Sequence, residues 1–538
     1  MTFAKPYLRL LSATLAFGLC ASVGATTPLP FVIEERALSD LATLMDKGSI
    51  SSEAITSAYL AQIAAIDDAG PTLNAVIATM PDALAQARML DKERAAGKIR
   101  GPLHGVPILL KDNIEAAGPI PTTAGSLALA NNVTNRDAPM VARLRKAGAI
   151  ILGKTNLSEW ANIRSNKSTS GWSAIGGLTK NPYALDRNTC GSSSGSGAAI
   201  AASLAAAAVG TETDGSVVCP ASFNGLVGFK PTVGLVSRSL IIPISHSQDT
   251  AGPMARNVRD AAMLLTAMAG RDPSDPATAM ADKYTRDFAV GLSADGLKGK
   301  RIGVLRDRVG DDPAIAALFE QSLKDMTAAG AILIDIKDSK SGLENLGEAE
   351  FQVLLTELKA DLGSYLSAIP NAPADKRSLA DMIAFNEANA KTELQHFDQS
   401  IFYMAQKQRG LKDPKYIAAL KLSRKLAGAM GIDKWLRQYK LDLLVQPTTG
   451  TAWLSTLGKG DDFAGPSASE LPAIAGYPHL TVPMGLINGL PLGVSFIGTK
   501  WQDHAILKAG YAYEAISKKR SAPTYLATIS TPPMTAKK

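Results

Sequence analysis

Two serines on glycine-rich loops are the residues of this chain best suited to chemistry. Ser192 lies in the segment 190–197, and Ser216 closes the segment 210–216. Glycines let the backbone turn sharply beside a serine and aim successive N–H groups at one point, as a developing oxyanion requires. The pattern is typical of a serine hydrolase that also has a base, because a serine hydroxyl is a weak nucleophile at its free pKa.

Lys111 is the base that the sequence favours. It follows the apolar run 106–110, where burial would lower the lysine pKa from about 10.4 by the roughly two to three units that a neutral amine requires. The alternative is an ordinary lysine at a strand end that reaches solvent or pairs with Asp112. Lys154 also follows an apolar run, 149–152, and is the competing lysine.

The five histidines are the other possible source of a base. None lies in a Gly-x-Ser-x-Gly elbow or an equivalent local pattern. His104 stands in a turn-like setting before Gly105 that is more often structural. A histidine brought in from a distant part of the chain stays an open alternative to Lys111.

Other kinds of site find little support in the sequence. The serine-glycine loop lacks the Gly-Lys-Ser/Thr ending of a P-loop, and 195–200 lacks the third glycine of a dinucleotide-binding fingerprint. The chain contains no His-Glu-x-x-His, no paired Cys-x-x-Cys and no acidic calcium loop. The sequence therefore predicts no metal.

The composition indicates a globular chain with a large core. Of its 538 residues, 46% are hydrophobic and 20% are charged. The formal net charge is +7, and the basic residues are scattered, so nucleic acid is not an expected partner. Beyond the N-terminal segment the chain has only Cys190 and Cys219, which excludes a disulfide-rich scaffold. Whether these two pair depends on a distance that the sequence does not give.

Residues 1–25 have the order of a secretory signal peptide. Lys5 and Arg9 precede the apolar stretch 10–23, and small residues follow at the expected cleavage site near Ala25. The alternative is an N-terminal membrane anchor, but the apolar stretch is short for a span of about 20 residues. We therefore expect an exported protein, periplasmic or secreted, with no stable membrane association after cleavage.

The candidate residues must be positioned by alternating strands and helices. Apolar runs predict strands at 106–110 and 149–152, and a helix is predicted between them at 138–146. The alanine-rich segment 198–209 predicts a helix ended by Gly210, which would place Ser216 on a loop just beyond a helix. Later strands are predicted at 301–305, 332–336, 441–446, 480–484 and 494–497.

This alternation predicts an α/β fold in which one large domain, 26–538, has a central mixed β-sheet covered by helices on both faces. Within it, 311–439 is predicted to be a mostly helical peripheral region, and the tail from Lys518 to be loosely ordered. We expect the helical region and the loop 448–467 to shape the substrate pocket.

The three motifs 105–113, 190–197 and 210–216, in this order, resemble those of the amidase signature hydrolases. The resemblance runs from about Ala37 to Tyr513. It implies the amidase signature fold and a Ser-Ser-Lys triad that works without a cofactor. In that triad Lys111 is the base, Ser192 is a bridging residue held by a cis peptide bond, and Ser216 is the nucleophile that forms an acyl-enzyme.

The resemblance also implies that the backbone N–H groups of Thr213, Asp214, Gly215 and Ser216 form the oxyanion hole. The sequence departs from the family pattern at Glu212, where many members have Asp, and at Asp214, where they have Gly. A glycine at this position would leave the backbone φ unrestricted, whereas Asp214 needs its backbone to be held by the surroundings. The role of the Asp214 side chain stays open.

The variant residues, together with the segment 245–253, look like those of the peptide amidase branch of the family. That branch removes the C-terminal amide of peptides, so the resemblance implies such amides or related ones as substrates. Two alternatives remain at this point. One is the glutamine-hydrolysing subunit of a tRNA amidotransferase, which shares the motifs, and the other is an exported solute-binding protein without catalysis. Neither the exact substrate nor the oligomeric state can be read from the sequence.

Overall fold

A mixed sheet of 11 strands, flanked by helices, organises the chain in the computed structural model. Residues 32–370 and 372–529 are described, so the predicted signal peptide lies outside the described residues. The described residues from Ile33 onward form one compact unit. The strand order is β1-β3-β2-β6-β8-β7-β12-β13-β11-β9-β10, and β4 and β5 form a separate hairpin. The strands are β1 (Val76–Thr79), β2 (Pro107–Lys111), β3 (Ile150–Thr155), β4 (Trp172–Ser173), β5 (Gly177–Leu178), β6 (Ala207–Glu212), β7 (Val227–Lys230), β8 (Thr250–Ala255), β9 (Arg301–Leu305), β10 (Ile332–Ile336), β11 (Leu443–Pro447), β12 (His479–Ile487) and β13 (Leu490–Ile497).

Helices pack against the sheet and extend from it. They are α1 (Leu38–Asp46), α2 (Ser52–Gln62), α3 (Ala83–Ala95), α4 (Pro139–Lys146), α5 (Ser194–Ala201), α6 (Val218–Phe223), α7 (Val258–Met268), α8 (Ala281–Tyr284), α9 (Pro313–Ala328), α10 (Leu346–Ser367), α11 (Leu379–Ala388), α12 (Ala390–Glu393), α13 (Ser400–Gln406), α14 (Pro414–Arg424), α15 (Asp433–Gln438), α16 (Glu470–Ala475) and α17 (Asp503–Ser517). The predicted α/β fold with a central mixed sheet is confirmed.

Three neighbouring parallel strands bring the candidate site residues to one edge of the sheet. β2 lies between β3 and β6 and is parallel to both. Every residue of these three strands is buried, as is typical of parallel strands covered on both faces. Because the carboxyl ends of parallel strands meet at one edge, the segments that follow β2, β3 and β6 lie together there.

The predicted helix over 198–209 is wrong in its second half. Helix α5 ends at Ala201, and the alanines from Ala207 belong to strand β6. Intrinsic helix propensity is a weak preference, and here the pairing of β6 with β2 and β8 overrides it. Gly210 lies inside that strand instead of ending a helix, and a Cβ on it would come within 2.7 Å of Ser193 Oγ. Ser216 therefore follows a strand.

The other predicted elements are found close to their expected bounds. The strands expected at 301–305 and 332–336 match β9 and β10, and the last three expected strands correspond to β11, β12 and β13. The region 311–439 is mostly helical, although β10 lies in the sheet. Part of this region has its own apolar cluster, in which Leu362, Met382 and Phe402 are fully buried.

The described part of the predicted tail, 518–529, lies against the rest of the domain. Tyr183 Oη donates a hydrogen bond to Ser521 O at 2.5 Å. Tyr525 N donates to Pro182 O at 2.8 Å. Over the described residues, none of the helices combines the length and apolar character needed to cross a membrane.

Candidate active site

Lys111 ends β2 with its side chain fully buried. The parallel register pairs Leu110 with Val209, so Lys111 at the end of β2 lies beside the middle of β6, close to Thr211. Lys111 Nζ is 2.7 Å from Ser192 Oγ, 2.9 Å from Thr211 Oγ1 and 3.2 Å from Thr211 O. The structure therefore brings the predicted lysine and the first predicted serine into hydrogen-bond contact.

The electrostatics at Lys111 favour a neutral amine. Burial lowers the pKa of Lys111 to about 7, against the opposing charges of Asp249 and Glu212. Asn113 Nδ2 donates to Thr211 Oγ1 at 3.0 Å, which holds the threonine that contacts the lysine. At neutral pH a large fraction of the Lys111 side chains is thus uncharged in the folded protein.

Lys154, the competing lysine, is buried in a different neighbourhood. Its Nζ donates to Ile114 O at 2.5 Å and to Thr122 Oγ1 at 2.8 Å, and lies 3.5 Å from Asp112 Oδ1. These partners are structural groups of the loop after β2. Among the described residues, those that line the cavity of Ser192 and Ser216 include neither Lys154 nor its partners.

Ser192 stands just before helix α5, and the Gly191–Ser192 peptide bond is cis. Its carbonyl accepts a hydrogen bond from Ser158 N at 3.0 Å. The next residue joins the two serine loops, because Ser193 N donates to Ser216 O at 3.2 Å. Ser192 and Ser216 line the same cavity.

Ser216 follows a turn in which the left-handed backbone conformation falls on Gly215, with φ 79°. Among the described residues Asp214 is not in that region, so the sequence-based concern about its backbone does not apply. Glu212 holds the backbone just after Ser216, since its Oε2 accepts hydrogen bonds from Val217 N at 2.8 Å and from Val218 N at 3.0 Å.

A disulfide closes one wall of the cavity. Cys190 and Cys219 are bonded, which answers the question that the sequence left open. Cys190 precedes Ser192 by two positions, and Cys219 follows Ser216 by three, so the bond ties the two serine loops to each other. Both cysteines line the cavity.

The cavity has a volume of about 280 Å³ and mostly apolar walls. A row of aromatic rings lines one side: the centroid of Trp453 is 5.0 Å from that of Phe223 and 4.8 Å from that of Phe463. Loop residues from 448–467 and Leu354 from α10 complete the lining. All four residues of the predicted oxyanion turn, from Thr213 to Ser216, also line it.

Asp214, which lines the same cavity, forms an acidic pair with Glu350. Burial raises the pKa of Asp214 to about 7, and the nearby charges of Glu212 and Glu470 act in the same direction. The pKa of Glu350 is also raised, by burial first and by Asp214 next. Gln248 Nε2 donates to Glu350 Oε1 at 2.7 Å. Two adjacent buried carboxylates repel each other, so ionisation of both is unfavourable and the pair favours holding one proton at neutral pH.

The histidines lie elsewhere. None of the five lines the cavity of Ser216 over the described part of the chain. His479 is buried beside Ser495, and its pKa is lowered to about 3 by burial.

His246, Glu357 and Asp361 have ligand atoms within 4.8 Å of one another. The oxygens of Glu357 already accept from Ser245, Ser247 and Tyr416, which accounts for this group without an ion.

Several residues of the site escape the sequence reasoning. Thr211 and Asn113 contact the lysine region, and Asp249 and Gln248 contact Thr213. Asn113 and Asp249 lie inside segments that the motifs already single out, but nothing in a single sequence separates them from their neighbours. Glu350 lies on a distant helix and carries no signal in its local pattern.

This chain is similar to several known proteins. A family model described as Amidase matches residues 54–507. A probable amidase of Arabidopsis thaliana is 38% identical over 95% of this chain and 97% of that protein. One subunit of a glutamyl-tRNA(Gln) amidotransferase, from Moorella thermoacetica, is 34% identical over 88% of this chain and 95% of that protein.

A solved structure is also similar. The crystal structure of native peptide amidase from Stenotrophomonas maltophilia superposes with a TM-score of 0.88 at 51% sequence identity. The match covers 92% of this chain and 100% of that chain.

Proposed function

Because this chain belongs to the amidase signature family of amide-hydrolysing enzymes, we propose that it removes the C-terminal amide of peptides or related amides through Ser216, Ser192 and Lys111. The single observation that carries the triad is the 2.7 Å contact between the buried Lys111 Nζ and Ser192 Oγ. The likeness to a peptide amidase supports the substrate class.

The hydrogen bonds of Lys111 support a base directed at Ser192. A neutral amine has two N–H groups and one lone pair. Thr211 O can only accept, and Thr211 Oγ1 lies within donation distance of Nζ as well. If the two N–H groups serve these oxygens, the lone pair is left for the hydroxyl proton of Ser192.

In the proposed reaction the Ser192 proton moves to Lys111 Nζ while the Ser216 proton moves to Ser192 Oγ. Ser216 Oγ then bonds to the amide carbonyl carbon, and the N–H groups of Thr213, Asp214, Gly215 and Ser216 stabilise the oxyanion. The relay returns a proton to the amide nitrogen, the C–N bond breaks, and ammonia leaves. Water, deprotonated by the same relay, attacks the acyl-enzyme and releases the acid.

The walls of the cavity favour an apolar residue next to the amide. Trp453, Phe223 and Phe463 offer ring faces and edges to such a side chain, and Leu354 adds a further apolar surface. Among the described lining residues Asp214 is the ionisable one, and it is an acid. A substrate with a free α-carboxylate would find no cation among these lining residues, which disfavours glutamine and hence the second candidate, the amidotransferase activity.

The test is ammonia release from a panel of peptide amides, amino-acid amides, aryl amides, short aliphatic amides, esters and glutamine. We expect N-acylated peptide amides with a C-terminal apolar residue to be hydrolysed best, with kcat/KM falling about tenfold per unit below pH 7. Ser216→Ala and Lys111→Ala are expected to lose at least about 10³-fold in kcat/KM.

Exposed helix variants, Ser367→Ala and Lys324→Ala, are the matched controls and should retain activity. Preferential hydrolysis of glutamine would contradict the proposed substrate class and support the amidotransferase activity. Tight amide binding without ammonia release would instead identify a solute-binding protein and contradict the proposal.

Export is part of the same proposal, with cleavage near Ala25 yielding a periplasmic or secreted enzyme. The Cys190–Cys219 disulfide supports it, because such bonds persist in oxidising compartments and are rare in reducing ones. N-terminal sequencing of protein from the extracytoplasmic fraction tests it. A protein that stays in the cytoplasm with Met1 intact would contradict it.

A further inference from the structure

We propose that Asp249 is a positioning residue of this active site: its carboxylate holds Thr213 in the nucleophile turn and offsets the cost of a positive charge on Lys111. The inference deepens the proposed function and rests on Lys111 as the base. It also gives a role to the segment 245–253, which the catalytic motifs leave unexplained.

The position of Asp249 follows from strand pairing. β6 and β8 are antiparallel, and Glu212 is opposite Thr250, so the residues just outside this pair are Thr213 and Asp249. Thr213 Oγ1 donates to Asp249 Oδ1 at 2.6 Å. The neighbouring Gln248 Nε2 donates to Thr213 O at 3.3 Å. Two consecutive side chains therefore hold both the hydroxyl and the carbonyl of Thr213.

The carboxylate is itself fixed by the backbone. Asp249 Oδ2 accepts from Ile244 N at 2.8 Å and from Ser245 N at 2.9 Å. The same loop is tied to α10, because Ser245 Oγ donates to Glu357 Oε2 at 2.5 Å. With its second oxygen fixed in this way, the first can hold Thr213 in one position, and the N–H of Thr213 is part of the proposed oxyanion hole.

Two acids act on the charge of Lys111, and they differ in their own partners. Asp249 and Glu212 both raise the pKa of Lys111, against the larger effect of burial. Glu212 is also close to the buried cation Lys230 and accepts two backbone N–H bonds. Asp249 also has a cation nearby besides Lys111, since its charge raises the pKa of the mostly buried Arg238.

The other charged groups around Asp249 set the pH range of the effect. Burial raises the pKa of Asp249 to about 6, and Asp361 on α10 acts in the same direction. His246 pairs with Asp361 at 2.8 Å, and Arg238 pairs with Asp275 at 2.5 Å. Above about pH 6 Asp249 is therefore ionised and favours the charged form of Lys111. Removing this charge should lower the lysine pKa further.

The experiment compares four variants by the pH dependence of kcat/KM on a peptide amide. Asp249→Asn keeps groups that can bond Thr213 and the loop backbone but removes the charge. The fall of kcat/KM at low pH, here called the acid limb, should move by roughly half to one pH unit toward lower pH in this variant. Thr213→Val removes the hydroxyl alone, and should lower the plateau about tenfold without moving the limb. Asp249→Ala should do both.

Glu320→Gln is the charge-matched control. It removes one negative charge from exposed helix α9 and should leave the limb in place. Thermal melting of every variant separates these effects from loss of folding, because a merely structural role would lower Tm and the plateau without shifting the limb.

An acid limb that is unmoved in Asp249→Asn, in a folded protein, would overturn the inference. So would a limb that moves equally in Thr213→Val. Neither result touches the proposed function, which fails only if the wild type releases no ammonia from any amide or if its activity survives Lys111→Ala.

Discussion

At the scale of single residues, two fully buried lysines with the same local pattern have different surroundings. Lys111 and Lys154 both end or nearly end a parallel strand, and both have a pKa lowered chiefly by burial. Lys154 lies 3.5 Å from the buried carboxylate of Asp112, whereas the partners of Lys111 are two hydroxyls and a carbonyl. Lys154 is therefore part of a buried ion pair, whereas Lys111 is free to exchange a proton.

This difference predicts opposite consequences for Lys154→Met and Lys111→Met. The first leaves Asp112 buried without its cation and should lower the free energy of unfolding by about 3 kcal/mol or more. The second removes an amine that is largely neutral at pH 8, so its stability cost should be smaller, while amide hydrolysis is lost. Urea unfolding at pH 8 and ammonia release measure the two effects. Equal stability losses would contradict the charge assignment.

At the scale of secondary-structure elements, the short helix α5 packs so closely at Gly195 that even a methyl side chain does not fit there. All eight of its residues are buried. A Cβ on Gly195 would lie 2.6 Å from both Asn156 N and Asn156 O. These are backbone atoms that cannot move aside as a side chain can, and Ser192 stands directly before this helix.

Gly195→Ala is therefore expected to lower the free energy of unfolding by about 2 kcal/mol or more and to reduce activity by displacing Ser192. Gly363→Ala is the matched control, because Gly363 lies inside helix α10 and a Cβ there meets no atom within 4 Å. It should be neutral or stabilise the protein by about 0.5–1 kcal/mol. Denaturant unfolding of both variants is the measurement, and similar losses in both would refute the packing explanation.

At the scale of the whole molecule, one buried arginine joins the helical region to the sheet-bearing part. Arg164 is fully buried, forms an ion pair with Glu159 and lies 3.4 Å from Glu393 on α12. Its guanidinium also lies 4.3 Å from the ring centroid of Phe397. Glu393 in turn accepts from Leu127 N at 2.7 Å, so the contact spans both parts.

Arg164→Met should lower the free energy of unfolding by about 3–5 kcal/mol, because two carboxylates are left buried without a cation. Arg88→Met removes an arginine from the half-exposed pair with Glu53 and should change stability by less than about 1 kcal/mol. Urea unfolding followed by tryptophan fluorescence measures both. A small effect of Arg164→Met would show that the two parts are joined by apolar packing instead.

The sequence alone determined the fold class, the family and the segments that carry Lys111, Ser192 and Ser216, because short motifs and apolar runs are local. It did not determine that the alanines from Ala207 form a strand, because that depends on pairing with β2 and β8. Nor did it determine that Cys190 bonds to Cys219, or that Glu350 faces Asp214. These are contacts between residues far apart in the chain. Their distances, and hence the burial that lowers the pKa of Lys111, exist only once the sheet has formed.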